Sequence, residues 1–262
     1  MIADVHGNLQ ALEAVLRALD AQAIEDILCL GDLVGYNADS DACVGLLHER
    51  RAVSIAGNHD LIALGQLGFD FCAPKPEFSL RRTRRRLGGV TRALLRTLPR
   101  SLLSADGVAL IHGALDDPTR YLHTGRDVAA EAQQLRERWP AARLCFFGHT
   151  HVPALYQLRG EEVRHLAPLP EQRLDGDAFW FVNPGSVDAA RRGDGLAQFA
   201  VFDSAAGSLS LHRVPYDHTR AEANAVAEGY RMGRVQQKLL ATRRLFRRAR
   251  RKALRTIGRA VG

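Results

Sequence analysis

The chain has 262 residues, 46% of them apolar, and a formal charge of +7. That length can bury a large core, and the composition excludes a disordered or fibrous protein. No unbroken apolar run reaches membrane-spanning length and no charged-then-apolar leader opens the chain, so the expected location is the cytoplasm.

In chain order, Met1-Ile2-Ala3 reads as a short strand entering Asp4-Val5-His6-Gly7-Asn8. On an extended strand end, Asp4 and His6 lie two apart and point to one side. Asn8 is a good helix cap, and Leu9, Leu12, Val15, Leu16 and Leu19 recur at helical spacing. A second strand, Ile27 to Leu30, runs into Gly31-Asp32; Asp39-Ser40-Asp41 then introduces a helix through about Arg50. Residues Ala52 to Ala56 form a third strand ahead of Gly57-Asn58-His59-Asp60. Pro74 and Pro76 mark a loop, the run Arg81-Arg82-Thr83-Arg84-Arg85-Arg86 precedes a helix, and that helix passes through Leu94 and Leu95 and stops before Pro99.

The second half repeats the construction. Gly107 to Ile111 leads to His112, a helix spans about Arg126 to Trp139, and the buried strand Leu144 to Phe147 leads to Gly148-His149-Thr150-His151. A strand feeding a His-x-His turn aims both imidazoles at one point. Strands then follow at Leu155 to Leu158, Val163 to Leu166, Phe179 to Val182, Ala197 to Phe202 and Ser208 to Val214. Each early apolar run breaks at a small residue and then presents carboxylate, imidazole or amide groups. Cys29, Cys43, Cys72 and Cys145 lack framework spacing and read as reduced packing thiols. His48, His123, His165, His212 and His218 lack such context and read as surface or packing groups.

Asp4-Val5-His6, Gly31-Asp32, Gly57-Asn58-His59-Asp60, His112 and Gly148-His149-Thr150-His151, in that order, resemble the motif set of the calcineurin-like metallophosphoesterases. Asn183-Pro184-Gly185-Ser186-Val187 resembles a loop of their small bacterial and archaeal phosphodiesterase branch. The resemblance covers residues 1 to about 217. It implies an α/β fold, a four-layer sandwich of two facing mixed β-sheets flanked by helices. It also implies two divalent ions: Asp4, His6, Asp32 and His151 hold one, while Asp32, Asn58, His112 and His149 hold the other, with Asp32 bridging. The mixed oxygen and nitrogen donors suit manganese as the first choice, with iron, nickel, cobalt or zinc as alternatives.

The chemistry implied is in-line attack of a metal-bridging hydroxide on a small, nucleotide-type phosphodiester. His59 would protonate the leaving oxygen or steady the transition state, and Asp60 would orient a neighbouring histidine. Asn183 to Val187 would line the site and Arg191 would meet phosphate. The family's usual Gly and Pro are absent at positions 188 and 190, which leaves Arg191 equally readable as a solvated loop charge. Asp60 stands where protein phosphatases and symmetrical diadenosine tetraphosphatases have Glu, and no Asp-Arg-Gly follows Gly31; both differences favour a phosphodiesterase. The alternatives are a phosphomonoesterase or dinucleoside polyphosphate hydrolase on the same site, or a non-catalytic protein-binding scaffold like the retromer subunit that shares the fold. Only three residues precede Asp4, whereas a central strand runs about five or six, so either the start lies several codons late, the favoured expectation, or a clipped strand anchors Asp4 and His6.

The charge is unevenly placed. Residues 243–262 hold nine basic residues and no acid, which leaves 27 basic against 29 acidic in the rest, a net of −2. From Leu239, apolar residues recur at helical multiples, predicting a basic amphipathic helix that contacts nucleic acid or an anionic membrane, or simply packs as a terminal helix. The division expected is a 1–217 catalytic domain and a 218–262 C-terminal helical region.

Overall fold

The first βα connection ends in a polar residue whose side chain caps the following helix. Asn8 Oδ1 accepts from Ala11 N at 3.1 Å and starts α1 (Leu9–Asp20), whose Leu12, Val15, Leu16 and Leu19 are buried. The computed structural model describes residues 1–233 and Gln236, apart from Phe71, Pro168, Pro170 and residues 189–193. The basic tail from residue 237 and Arg191 therefore lie outside the described residues.

After α1 come β1 (Leu28–Cys29), α2 (Ser40–Glu49), β2 (Val53–Ser54) and α3 (Asn58–Leu64). The first strands are shorter than expected, and Met1 to Ala3 contribute a single parallel bridge, Ile2 to Cys29. The reason is local: Asp4 turns left-handed at φ 56°, which ends the extended segment. The region around Pro74 is also a correction. It forms α4 (Pro74–Arg86), because proline at the first helical position loses no bond that a helix would make there. The arginine run thus sits within α4, where Arg81 and Arg84 lie over Phe69 at 4.2 and 4.4 Å and Thr83 Oγ1 donates to Gly35 O at 3.1 Å.

The chain continues through α5 (Gly89–Thr97), β3 (Ser101–Leu103), β4 (Val108–Ile111), α6 (Gly125–Arg138) and β5 (Leu144–Phe147). Then follow β6 (Ala154–Arg159), β7 (Glu162–Leu166), β8 (Glu171–Arg173), β9 (Phe179–Asn183), β10 (Leu196–Asp203), β11 (Ser208–Pro215) and α7 (His218–Ala227). The short strands β3 and β8 and the helix α3 carry too little pattern to be expected from sequence.

One sheet has the order β3-β4-β5-β9-β6-β7, parallel across β4, β5 and β9 and antiparallel elsewhere. Across from it, β10-β11-β8 and β1-β2 are joined by the first residues: Met1 exchanges backbone bonds with Ala200, and Ile2 with Leu28 and Leu30. Three apolar clusters fill the spaces. The first packs α1, α2, α4 and α5 against the Ile2 side, the second packs α6 on the six-stranded sheet, and the third lies between sheets with Leu30, Ile55, Phe146, Trp180 and Val182. Helix, sheet, sheet, helix is the expected α/β layering. Among the described residues, no helix is long and apolar enough to cross a membrane.

Candidate metal centre

Seven non-glycine residues among those described have left-handed φ, and five of them are Asp4 (56°), His6 (51°), Asp32 (55°), His149 (65°) and His151 (57°). Each such turn costs on the order of 1–3 kcal/mol and persists only where its surroundings impose it. Asp4 and His6 thus converge through successive left-handed turns and not through pleat alternation. The two imidazoles of the His-x-His turn likewise separate, His151 joining Asp4 and His6 while His149 joins Asp32 and His112.

The donor atoms of each group lie within 4.8 Å of one another. His6 Nε2 is 3.1 Å from His151 Nε2, and Asp4 Oδ1 is 3.5 Å from His151 Nε2. Two nitrogens bound at ~2.1 Å to one ion at right angles would stand ~3 Å apart, so this pair is spaced for a shared cation. Asp32 Oδ2 is 3.4 Å from His112 Nε2 and 3.7 Å from His6 Nε2, placing one carboxylate between the two groups. Asn58 Oδ1 lies 3.0 Å from His112 Nε2. His59, a third imidazole, falls within reach of His6 and Asp32, its ring 4.5 Å from that of His6. All eight side chains are buried, and the donor set of carboxylate, amide and imidazole fits divalent cations of intermediate hardness.

The backbone fixes which imidazole nitrogen faces inward. His112 Nδ1 is 2.7 Å from Leu30 O, His6 Nδ1 is 3.4 Å from Val34 O, and His149 Nε2 is 3.1 Å from Thr119 O. A nitrogen that donates to a carbonyl leaves the other with its lone pair for a ligand. Burial opposes the Asp32 charge, but His112, His59 and His6 outweigh it and hold that carboxyl well below its usual range. Burial likewise opposes a charged His112, yet Asp32 raises it to about 9, whereas burial and His112 push His149 down to about 3. The metal-free site therefore stores a proton on His112 at neutral pH. Divalent metal binding is expected to release it, with affinity rising about tenfold per pH unit up to about pH 9. Calorimetry in two buffers of different ionisation enthalpy reads that proton; pH-independent affinity would refute it.

Asp60 is the third residue of α3 and turns back to accept from Gly57 N at 2.9 Å and from Val34 N at 3.1 Å, so its carboxylate braces two backbone turns, one of which presents Val34 O to His6. Burial and neighbouring Asp32 raise its carboxyl to about 7. Asn183 also acts on backbone: its Nδ2 donates to Gly148 O at 2.8 Å and to Thr150 Oγ1 at 3.1 Å, fixing the His-x-His turn. Ser186 Oγ and Asp188 N donate to Asp4 O at 3.1 and 3.0 Å. The 183–188 segment thus bonds the two ligand-bearing turns at Asp4 and at His149 to His151.

Two aromatic residues went unassigned from sequence. Tyr36 places its ring 4.4 Å from His6 and 4.8 Å from His59, and Tyr121 stacks on His149 at 3.9 Å and on His123 at 4.9 Å. Tyr36 does close the run Gly31 to Tyr36, a signal that was available; Tyr121 has none. Gly57 is packed so closely that a Cβ there would overlap Asp32 Oδ1 and Asp32 N. Gly57→Ala is expected to cost on the order of 1–3 kcal/mol and to lower metal affinity together with the melting temperature. An unchanged melting curve would contradict that packing.

Comparison with known proteins agrees with this geometry. The profile of the calcineurin-like phosphoesterase superfamily domain matches residues 1–207. The chain belongs to that superfamily. This calcineurin-like phosphoesterase is 32% identical to a metallophosphoesterase from Sphaerobacter thermophilus, whose crystal structure superposes with a TM-score of 0.72 over 92% of this chain and 96% of that one. It is 29% identical over 224 residues to an uncharacterized protein of Methanocaldococcus jannaschii, covering 84% of this chain and 88% of the other. A hypothetical protein from Pyrococcus horikoshii, 18% identical, shares the fold with a TM-score of 0.66 over 91% of this chain and 95% of its own. Family and fold make this calcineurin-like phosphoesterase a phosphoester hydrolase with candidate ligand groups for two metals.

Proposed function

We propose that the protein is a dinuclear metal-dependent phosphodiesterase acting on small, nucleotide-type phosphodiesters. The observation that carries this reading is the convergence of two buried donor groups about Asp32, on turns whose backbone is held left-handed. Asp4, His6, Asp32 and His151 would hold one cation, and Asp32, Asn58, His112 and His149 the other. When bound, the cations neutralise phosphoester charge and make water nucleophilic near neutral pH. Asp32 supplies the negative charge that keeps two cations close. His59, set at the start of α3 with its N–H on Asp32 Oδ1 at 2.7 Å, donates a proton to the departing oxygen. Tyr36 covers His6 and His59 and keeps water from that side.

Preference for a diester is supported by Asp60 in place of Glu and by the absence of Asp-Arg-Gly after Gly31. The catalytic unit would be residues 1–217, working in the cytoplasm with manganese. Beyond it, α7 packs Ala221 into the first apolar cluster, and the basic run of residues 243–262 would suit nucleic-acid phosphates or an anionic membrane. Hydrolysis of bis-p-nitrophenyl phosphate beside p-nitrophenyl phosphate, with manganese, nickel, zinc and no metal, tests the reading. Metal-dependent turnover of the diester in excess of the monoester is expected; monoester preference would make the protein a phosphatase.

A further inference from the structure

Arg231 follows α7 and lies beyond the residues matched by the family profile, yet it reaches the Tyr36–Asn37 turn beside the candidate centre. Its Nη1 donates to Tyr36 O at 2.9 Å and its Nη2 to Asn37 Oδ1 at 3.0 Å. Its Nε is held by Glu222, with contacts of 2.9 and 2.7 Å to the two carboxylate oxygens. The approach is fixed by Tyr230, which is buried and donates its N–H to Ala225 O at 2.7 Å. On the inner side, Asn37 donates N–H and Nδ2 to His6 O at 2.9 and 3.3 Å, and the Tyr36 ring packs on His6 and His59. One guanidinium thus connects an exposed carboxylate to the turn that carries the wall of the site. A planar fork makes two bonds at a fixed angle, which an ammonium cannot reproduce.

We propose that Arg231 is a positioning residue for hydrolysis: it clamps the Tyr36–Asn37 turn against His6 and His59, so that the site depends on the segment after α7. Its kinetic consequence rests on the function proposed above. Outer partners of metal ligands typically contribute 10- to 100-fold, and a loss of that size is expected here.

The test uses the full chain as wild type, Arg231→Ala, Arg231→Lys, Glu222→Gln and the control Arg220→Ala. Manganese-dependent diester hydrolysis gives kcat and KM, and histidine ring signals are followed by NMR in the metal-free protein. Arg231→Ala is expected to lower kcat 10- to 100-fold with little change in KM or melting temperature. Lysine should fail to restore it, and Glu222→Gln, which leaves the guanidinium in place, should give a smaller loss. The ring signals of His6 and His59 should move in Arg231→Ala and stay in place in Arg220→Ala. Unmoved rings with wild-type kcat, or full rescue by lysine, would overturn the clamp. Should wild type hydrolyse neither ester, the hydrolase reading fails and the ring signals alone decide the clamp.

Discussion

Asp32→Asn is expected to lower diester hydrolysis about a thousandfold and to leave the chain folded with fewer than two tightly held cations. Asparagine keeps an oxygen for the His59 N–H, which lies 2.7 Å from Asp32 Oδ1, so the start of α3 retains its anchor. What disappears is the charge between the two donor groups. That charge also raises His112, so the stored proton goes with it. A loss of ~4 kcal/mol of charge stabilisation corresponds to ~10³ in rate. Metal content by mass spectrometry, kcat, and proton release on metal addition should therefore fall together. Retention of two cations with undiminished turnover would remove Asp32 from the bridging role.

The second large effect depends on the leaving group. His59→Gln is expected to slow a diester with an alkyl alcohol leaving group by ~10²–10⁴, the range for a positioned proton donor. The same variant should slow bis-p-nitrophenyl phosphate far less, because p-nitrophenolate departs without a proton. The contrast separates donation to the leaving oxygen from charge stabilisation, which would slow both substrates alike. It also separates both from a ligand role: His59 lies close to His6 and Asp32, and a ligand's removal would change metal content.

The layering and the convergence of the histidines were legible because they rest on long-range repetition of one device, an apolar strand that stops at a polar turn. The helix at Pro74 was misread because proline excludes the interior of a helix while favouring its first position, and the sequence alone does not say which applies. Asp4 and His6 were correctly paired for an incorrect reason: alternation on a strand places them on one side, but left-handed turns do so here. The roles of Asp60, Asn183 and Arg231 escaped for a common reason. Each bonds a group supplied by a distant part of the chain, Val34 N, Gly148 O and Tyr36 O respectively, and no local pattern encodes such a partner, although the bond from Gly57 N to Asp60 is a local cap.

The two donor groups do not belong to one sheet. Asp4, His6, Asp32 and Asn58 extend from the side built on β1 and β2, whereas His112, His149 and His151 extend from β4 and β5 of the facing sheet. Under the proposed assignment every cation is therefore a fastener across the sandwich, joining ends that also meet through the apolar layer of Leu30, Ile55 and Phe146 and through the contact of His112 with Leu30 O. Metal affinity then counts as adhesion between halves of the fold, growing with the logarithm of free metal. A cell that starves this protein of metal would loosen its architecture and silence its chemistry in the same event.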